Sequence, residues 1–431
     1  MLYQKQLETR YTVDILVVGG GASGVAAAVS AARMGKKVLL CESNGCFGGA
    51  GTSGMVPAFG PFTDGVNVTC SGVGLEIRRN AARNLPVETY WTGFDAEELK
   101  REYDRILTEA GVSFLFFTTL CDVLTDGDAI RCAVFTSRTG VFAVKASVYI
   151  DCTGDGNLIA LAGGEFELGD DEGNVMPPTL CTQWGDIDLD RYDMGAVPVQ
   201  LEKAIRDGVF TYEDRHLTGL FPREGGYAGG NIGHVFGTDP LSERSLTDAM
   251  VWGRKSMLEY IRFYREYIPG CESIRLTGTA AMLGVRESRR IKCDYMLNVQ
   301  DFLARADFDD EIGRYNYPVD IHIMNTDSGE MERFRKEYET MRYQPGESYG
   351  IPYRSLIPVS FRNALTAGRC MGCDRQMEAS IRVMPGCFIT GQAAGTAAAL
   401  AAKCGNVRAV SIRSLQAALV KAGAYLREAL R

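Results

Sequence analysis

The chain has 431 residues, of which 46% are hydrophobic and 23% are charged, and its formal net charge is −8 at pH 7. These proportions are typical of a globular protein and argue against a disordered chain or a bundle of membrane helices. The acidic balance also argues against a nucleic-acid partner, and the length predicts two or three domains.

Cysteine usage and the N-terminus indicate the compartment. The thirteen cysteines are odd in number and scattered, without the spacing of a disulfide framework or an iron–sulfur run. Lys5 and Arg10 precede an apolar run, but Glu8, Asp14 and central glycines interrupt any signal peptide. The run is also too rich in Gly, Ser and Ala for a membrane span. We therefore expect a cytoplasmic protein with free thiols, no membrane partner and no metal site.

The first predicted elements are a strand, a glycine motif and a helix. An apolar strand at 13–18 leads into G-x-G-x-x-G, an Ala-rich helix at 25–33 follows, and a strand at 38–41 ends at Glu42. In this order the glycines allow a pyrophosphate to approach the helix N-terminus, and the acid accepts hydrogen bonds from an adenosine ribose. The dinucleotide site is assigned to Gly19, Gly21, Ala22, Ser23, Gly24, Glu42 and Ser43.

The next predicted elements continue an α/β pattern. A glycine-rich loop at 45–54 is followed by helices at 74–84 and 95–110 and by a strand at 112–117. Two β-rich runs at 129–137 and 141–149 then predict an antiparallel pair.

A buried strand at 147–151 leads into Thr153-Gly154-Asp155. From 165 to 343 the pattern is irregular, with a long helix at 242–267 and strands near 274–280 and 319–324. We interpret this segment as an inserted α+β substrate or cap domain.

The C-terminal part returns to α/β: a strand ends near 363–368, a small-residue helix covers 391–400, and a last helix starts near Ser411. The predicted fold class is therefore α/β, with a three-layer, Rossmann-like FAD-binding domain. This domain is discontinuous, formed by 1–164 and 344–431, with a β-rich excursion near 129–149.

Three features favour FAD over NAD as the dinucleotide. Gly48-Gly49 provides a second stretch of backbone without side chains, which a long cofactor can approach closely. Thr153-Gly154-Asp155 ends a strand at the edge of the sheet where ligands bind, and Gly391 is predicted to start a helix. Such a helix N-terminus stabilises negative charge on a reduced flavin ring. The glycines at 225–233 follow no strand and open no helix, so no separate NAD(P)H domain is expected.

Further motifs follow one another along the chain, at 150–156, 286–291, 320–322, 351–358, 367–370, 380–385 and 391–395. With these motifs the chain resembles a bacterial FAD-dependent oxidoreductase family allied to the flavoproteins of fumarate reductase and succinate dehydrogenase. The resemblance implies FAD bound by the outer segments and substrate between them and the middle domain. The other predicted FAD-binding residues are Gly48, Gly49, Ala50, Thr52, Leu120, Thr153, Gly154, Asp155, Arg382, Met384, Gly391, Gln392 and Ala393.

Two departures from these relatives matter. Relatives often attach FAD covalently to a His near the Gly48-Gly49 loop, but this loop contains no His, so non-covalent FAD is expected. Relatives also commonly carry a His shortly after the Cys370 position, where this chain has Arg375, which puts a shared proton-transfer step in doubt.

Several polar residues are candidates for the chemistry. Arg286, Arg289 and Arg290 have helical spacing and can clamp a carboxylate or phosphate, with structural ion pairing as the alternative. Asp320 and His322 would share one face of a strand, as acid–base groups or as a structural pair. The complete set of catalytic candidates is Arg286, Arg289, Tyr353, Arg354, His234 and Arg375.

Cys370 and Cys373 form a C-x-x-C sequence, which is either a redox-active dithiol or a chance pairing of small residues; we favour chance. The predicted function is hydride transfer between flavin N5 and a small substrate for which a carboxylate is one candidate group, with electrons exchanged with a separate donor or acceptor. The alternatives are an NAD-dependent dehydrogenase, a flavin-dependent RNA-modifying protein and a non-catalytic flavoprotein.

Overall fold

The computed structural model describes residues 6–82, 85–215, 219–339 and 341–430. Its strands, in chain order, are β1 Thr9–Val18, β2 Val38–Cys41, β3 Ala58–Phe59, β4 Thr92–Gly93, β5 Ser113–Leu115, β6 Thr119–Asp126, β7 Ala129–Ser137, β8 Gly140–Asp151, β9 Phe166–Leu168, β10 Thr182–Gly185, β11 Leu220–Arg223, β12 Tyr227–Gly230, β13 Arg275–Thr279, β14 Arg289–Ile291, β15 Glu311–Tyr315, β16 Tyr349–Pro352 and β17 Ala364–Thr366. Its helices are α1 Ala22–Arg33, α2 Val73–Ala81, α3 Ala96–Glu109, α4 Asn157–Leu161, α5 Val197–Arg206, α6 Glu243–Tyr267, α7 Val299–Ala304, α8 Ser328–Glu339, α9 Arg375–Ile381, α10 Met384–Ala401 and α11 Ile412–Lys421.

A parallel sheet forms the centre of the fold. Its strands lie in the order β5-β2-β1-β8-β17, and β17 brings the C-terminal segment beside the N-terminal strands. Ile15 and Val17 of β1 pack under α1 and α10, whereas Leu16 and Val18 face the opposite side. Because both faces are covered, the strand is a continuous apolar run, as the sequence predicted. The α/β, Rossmann-like fold class is therefore confirmed.

The opposite face is covered by a β-meander. The predicted pair 129–137 and 141–149 is present as β7 and β8, but the strand predicted separately at 147–151 is the end of the same β8. The first half of β8 pairs with β7, and the strand lies along β1 from Thr9 to Val18. Strand β6, which the sequence did not predict, completes the meander; most of its residues are exposed, so it lacks a clear apolar alternation.

The middle segment carries a second, antiparallel sheet of order β11-β12-β10-β13. Trp184 of this sheet packs with Leu201 of α5 and Tyr264 of α6. The predicted long helix begins at its cap Ser242, as expected, and β13 matches the strand predicted near 274–280. The strand predicted at 319–324 was wrong, since these residues belong to none of the strands of the described chain.

For two other helices, the boundary in the structure and the boundary predicted from the sequence are not the same. Helix α2 ends at Ala81, and its predicted end at Asn84 lies outside the described residues. The small-residue helix predicted at 391–400 begins earlier, because α10 starts at Met384 with Val383 as its cap. No helix in the described part of the chain combines the length and apolar character needed to cross a membrane.

Helices α1 and α10 pack at backbone contact. A Cβ on Gly391 would clash with the Ser23 carbonyl, and a Cβ on Gly395 would clash with that of Ala27. Both contacts advance by four residues along both helices, so the helices run parallel. Met384 lies seven residues before Gly391, so α10 begins about 10 Å beyond the start of α1 at the same end of the pair.

This close packing predicts that adding even a methyl group at Gly395 destabilises the protein. Gly395→Ala should lower the free energy of unfolding by about 1 to 3 kcal/mol, because the added methyl forces two helix backbones apart. Urea unfolding of the holoprotein measures it. Gly93→Ala is the matched control, since a Cβ there meets nothing within 4 Å; equal stability of the two variants would contradict the predicted clash.

Candidate functional site

A cleft of about 540 Å³ opens at the carboxyl edge of the parallel sheet. Val18, Cys41 and Cys152, which end or follow β1, β2 and β8, lie in its wall. In open α/β sheets this edge is where ligands bind, because the connecting loops diverge there. The cleft continues between the parallel sheet and residues of the middle segment such as Asn231 and Arg286.

Two glycine loops form the floor of one end. Gly21 bridges Gly48, and the Gly48 N–H donates to the Gly20 carbonyl at 2.8 Å. A Cβ on Gly21 would meet nothing within 4 Å, so open space lies beside this backbone. Gly21 caps α1 without any side-chain hydrogen bond, and the first turn contains no acidic residue. The first-turn amides and the helix dipole therefore offer an anion site, which fits the pyrophosphate of the predicted FAD.

Glu42 stands beside these loops with its carboxylate fixed. Its Oε2 accepts from the Gly20 N–H at 2.7 Å, and its Oε1 accepts from the Asn44 N–H at 2.7 Å. The side chain is buried but lines the cleft. Fixed this way, the carboxylate suits the adenosine ribose that the sequence assigned to it.

Most predicted FAD-binding residues share this cleft. Those lining it are Gly19, Gly21, Ala22, Ser23, Glu42, Ser43, Gly48, Gly49, Ala50, Leu120, Thr153, Gly154, Asp155, Arg382 and Met384. Gly24 instead lets α1 lie against the Gly19 carbonyl, and Thr52 is buried with its hydroxyl on the Phe47 carbonyl.

The prediction that Gly391 opens a helix at the cofactor was wrong. Gly391 and Ala393 lie inside α10 with no exposed lining of the cleft, and Gln392 accepts from the Val73 N–H at 3.0 Å. The start of α10 reaches the cleft instead, through Val383, Met384 and Cys387. The glycines inside α10 allow it to pack closely on α1. The spacing of glycines in one sequence does not distinguish this packing role from a position at the start of a helix.

Arg286 is the one predicted catalytic residue that lines the cleft. Its Nη1 donates to the Pro177 carbonyl at 2.7 Å and its Nη2 donates to Asn231 Oδ1 at 3.2 Å. Among the described residues no carboxylate lies within 4 Å of its guanidinium. Burial, reinforced by the positive charge of Arg382, lowers the pKa of Arg286 to about 10.

The helical turn predicted for the three arginines was wrong. Residues 289–291 form β14, paired with β9, so neighbouring side chains alternate in direction. Arg289 does not line the cleft itself but donates to Asn157 Oδ1, which does, at 2.9 Å. Arg290 is buried on Glu287, with Nη1–Oε1 at 2.9 Å. The ion-pairing alternative therefore holds for Arg290.

Three other catalytic candidates lie outside the cleft. The Tyr353 hydroxyl donates to the Val407 carbonyl at 2.9 Å within the core. Arg354 pairs with Asp310, Nε–Oδ2 at 3.0 Å, beside a separate surface cavity. Arg375 pairs with Glu287, Nε–Oε1 at 3.0 Å. All three have structural partners, so geometry gives them no access to a ligand in this cleft.

His234 lies behind the cleft rather than in it. Its Nε2 is 2.8 Å from His322 Nδ1, and its Nδ1 is 3.0 Å from Asp214 Oδ2. His322 and Asp320 do line the cleft, with Nε2–Oδ2 at 3.4 Å. Burial lowers the pKa of His234, and the neighbouring Asp214 opposes that shift.

Arg382 joins this group to the start of α10. Its Nη2 donates to Asp320 Oδ2 at 3.3 Å and to the Asp320 carbonyl at 2.9 Å. The Tyr317 hydroxyl also donates to Asp320 Oδ2, at 3.2 Å. Asp320 therefore accepts hydrogen bonds from Arg382 and Tyr317, and its carboxylate also lies 3.4 Å from His322 Nε2.

The C-x-x-C pair lacks the features of a redox dithiol. Cys370 and Cys373 are fully buried, and burial raises the pKa of both thiols above the ordinary value. A catalytic thiol needs a lowered pKa and access. All thirteen cysteines lie in the described part of the chain, and none of them forms a disulfide there.

The sequence missed several lining residues. Arg369 pairs with Asp155, Nη2–Oδ1 at 2.5 Å, and closes the end of the glycine turn after β8. Asn231, Leu246 and Met250 come from the middle segment. Leu246 and Met250 have i, i+4 spacing on α6, which signals a helix face but gives no hint that this face borders a cleft.

Comparisons with known proteins identify the family of the chain. A family model described as FAD-dependent oxidoreductase matches residues 14–419. The chain is 24% identical over 187 residues to the tRNA uridine 5-carboxymethylaminomethyl modification enzyme MnmG of Aliarcobacter butzleri, covering 41% of this chain and 30% of that protein. It is 30% identical over 160 residues to a thiamine thiazole synthase of Desulfosudis oleivorans, covering 35% of this chain and 60% of that protein. Each match thus spans less than two thirds of the relative.

Similar solved structures include a geranylgeranyl bacteriochlorophyll reductase-like protein from Thermoplasma acidophilum, with 14% identity, TM-score 0.48, and coverage of 95% of this chain and 83% of that one. An L-proline dehydrogenase from P. horikoshii has 14% identity, TM-score 0.42, and coverage of 93% and 95%. Because the family model spans nearly the whole sequence, the chain belongs to the FAD-dependent oxidoreductase family.

Proposed function

We propose that this FAD-dependent oxidoreductase transfers a hydride between flavin N5 and a small substrate that carries a carboxylate. The observation that supports this substrate class is Arg286, a half-buried cation in the cleft with no carboxylate within 4 Å among the described side chains. A desolvated guanidinium without an acid is costly, and a bound anion offsets that cost.

The neighbouring charges favour an anion as well. Arg369 pairs with Asp155, and Arg382 pairs with Asp320, so each of these cations has an acid. Arg286 has no carboxylate within 4 Å among the described residues, and Asp320 and Asp214 act on it only at longer range. The repulsion from Arg382 that contributes to the lowered pKa of Arg286 would be relieved by a carboxylate bound between the two guanidiniums.

The substrate groups come from one part of the chain. Asn231, Arg286, Asp320 and His322 all belong to the segment 165–343, which we propose as the substrate domain. The segments 1–164 and 344–431 supply the glycine loops, Glu42 and the start of α10, and we propose them as the FAD-binding domain. Leu246 and Met250 add an apolar wall, which suits a substrate with a hydrocarbon body.

FAD, when bound, supplies the ring that accepts or donates the hydride. The chain's own residues bind and orient it: the first turn of α1 holds the pyrophosphate, and Glu42 holds the ribose. The first turn of α10 presents its positive end to the cleft. The loop at 44–48 contains no His, which supports non-covalent attachment.

A separate molecule would exchange the electrons. The glycines at 225–226 are the turn of the β11–β12 hairpin, and no second strand–GxGxxG–helix unit occurs among the described residues. A flavin-dependent RNA-modifying function is the alternative that the MnmG similarity keeps open. The acidic net charge of −8 weighs against it.

The carboxylate site predicts selective ligand binding. We expect at least one of benzoate, succinate or lactate to change the absorption spectrum of the bound FAD saturably, while its amide analogue does not. Arg286→Met should weaken that carboxylate by about 30-fold in Kd, since a charged hydrogen bond contributes about 2 kcal/mol.

Arg354→Met is the matched control, because this arginine pairs with Asp310 outside the cleft and should leave the Kd unchanged. Equal binding of acid and amide, no response to any of the carboxylates, or an Arg286→Met protein that binds as tightly as the parent would each contradict the proposal.

The position of Glu42 predicts that its carboxylate contributes to the affinity for FAD. Glu42→Gln keeps the shape of the side chain but removes its charge, so FAD should bind about 10-fold more weakly, a loss of about 1.4 kcal/mol. Fluorescence titration of the apoprotein with FAD measures it. Glu76→Gln, at a surface ion pair with Arg33, is the control. An unchanged Kd in the Glu42 variant would remove Glu42 from the FAD site.

Non-covalent attachment predicts where the flavin goes on denaturation. Acid precipitation of the yellow holoprotein should leave a colourless pellet and all of the FAD in the supernatant. Absorbance of the two fractions measures this distribution. Flavin that stays with the pellet after washing in denaturant would show a covalent bond.

A further inference from the structure

Three buried residues, Asp214, His234 and His322, and the partly exposed Asp320 form a chain that ends in the cleft. Asp214 Oδ2 lies 3.0 Å from His234 Nδ1, His234 Nε2 lies 2.8 Å from His322 Nδ1, and His322 Nε2 lies 3.4 Å from Asp320 Oδ2. His322 and Asp320 line the cleft, whereas Asp214 and His234 lie behind them. The residues come from three distant stretches of sequence, so only the fold aligns them.

Counting protons shows what this chain can do. Each of the three contacts needs one proton to be a hydrogen bond, but two neutral imidazoles carry only two. Two arrangements of these protons leave both rings neutral. In one of them His234 donates from Nδ1 towards Asp214 and His322 donates from Nδ1 to His234 Nε2, so that His322 Nε2, which lies 3.4 Å from Asp320 Oδ2, carries no proton. One additional proton completes all three contacts, so the chain has room for one proton.

The charges around the two rings are mixed. Asp214 and Asp320 stabilise a protonated ring, while Arg286 opposes one at His234. Arg382 and the Tyr317 hydroxyl hold Asp320 from the other side. Phe236 packs on the His234 ring at 5.5 Å between centroids, which separates it from water. The lowered pKa of His234, caused first by burial, agrees with a proton that is held only transiently.

We propose that Asp214, His234 and His322 form a proton relay that removes the substrate proton during oxidation and returns it during reduction. The inference rests on the proposed function, because the substrate must bind beside His322. In the oxidative direction an O–H or N–H bond of the substrate breaks. Its proton binds His322 Nε2, its electron pair forms the second bond of C=O or C=N, and the adjacent C–H pair leaves as the hydride that reduces FAD.

The proton then moves inward. His322 releases its Nδ1 proton to His234 Nε2, and the Asp214 carboxylate balances the resulting imidazolium. His322 is the catalytic residue, since it contacts the substrate. His234 and Asp214 are positioning residues, because they set which nitrogen of His322 carries the proton and where the charge rests.

Imidazole ¹⁵N NMR of the FAD-bound full chain tests the relay without any substrate. The chain has only three histidines, so labelled His gives few signals, and His234→Gln and His322→Gln assign them. We expect His234 and His322 to take up a single shared proton in one step seen at both rings. Asp214→Asn should move that step to lower pH by about 1 to 3 units, because it removes the opposite charge.

Asp310→Asn is the matched control, since Asp310 is as buried as Asp214 but pairs with Arg354 outside the cleft; it should leave the step in place. Retention of the flavin spectrum verifies that each variant is folded. If Asp214→Asn does not fold, His234→Gln should move the protonation of His322 to lower pH, since the ring loses its link to Asp214.

Two rings that titrate independently, or a step unmoved by Asp214→Asn or by His234→Gln, would overturn the relay. The measurement follows protons alone, so its failure leaves the carboxylate site intact. Conversely, if the carboxylate titration fails, the shared proton can still be measured by NMR, but the relay then has no substrate from which to take a proton.

Discussion

The backbone contact between α1 and α10 is the constraint on which the site depends. Glycine at 391 and 395 lets the C-terminal helix lie on the N-terminal one, with the carbonyls of Ser23 and Ala27 where a side chain would be. The parallel arrangement brings both helix N-termini to the same edge of the sheet. Since α10 starts about 10 Å further out, the two ends lie along the cleft rather than at one point, which suits a long cofactor.

Charge then divides the cleft into two regions. Near the glycine loops, the backbone amides and Glu42 present neutral donors and one fixed carboxylate. Near the middle segment, Arg369 pairs with Asp155 and Arg382 pairs with Asp320, whereas no carboxylate among the described residues lies within 4 Å of Arg286. The same region contains the acid Asp320, which is held by Arg382 and Tyr317 and contacts His322. Arg286 and His322 thus both line this region of the cleft, and this arrangement is what the proposed oxidation of a carboxylate-bearing alcohol or amine needs.

The prediction that used the order of several contiguous elements agreed with the structure. The predictions that used only the spacing of single residues, at the three arginines and at Gly391, did not. The strand, glycine turn, helix and Glu42 were recognised because each part limits its neighbours along the chain. The spacing of Arg286, Arg289 and Arg290 suggested a helix, but pairing of β14 with β9 overrides it and sends the three side chains to different partners. The sequence around Gly391 wrongly predicts the start of a helix, because a glycine in a tight helix interface and a glycine at a helix cap look alike in sequence.

The sequence by itself determined the dinucleotide-binding unit, the α/β class and the resemblance to flavoproteins, because these depend on contiguous residues whose backbone roles are specific. Tertiary structure alone decided where α10 begins, that Arg286 lines the cleft with no carboxylate within 4 Å among the described residues, and that Arg354 and Tyr353 do not line it. It also decided the contact between His234 and His322, which are 88 residues apart. Such contacts depend on how distant segments pack, and no local pattern in the chain encodes that distance.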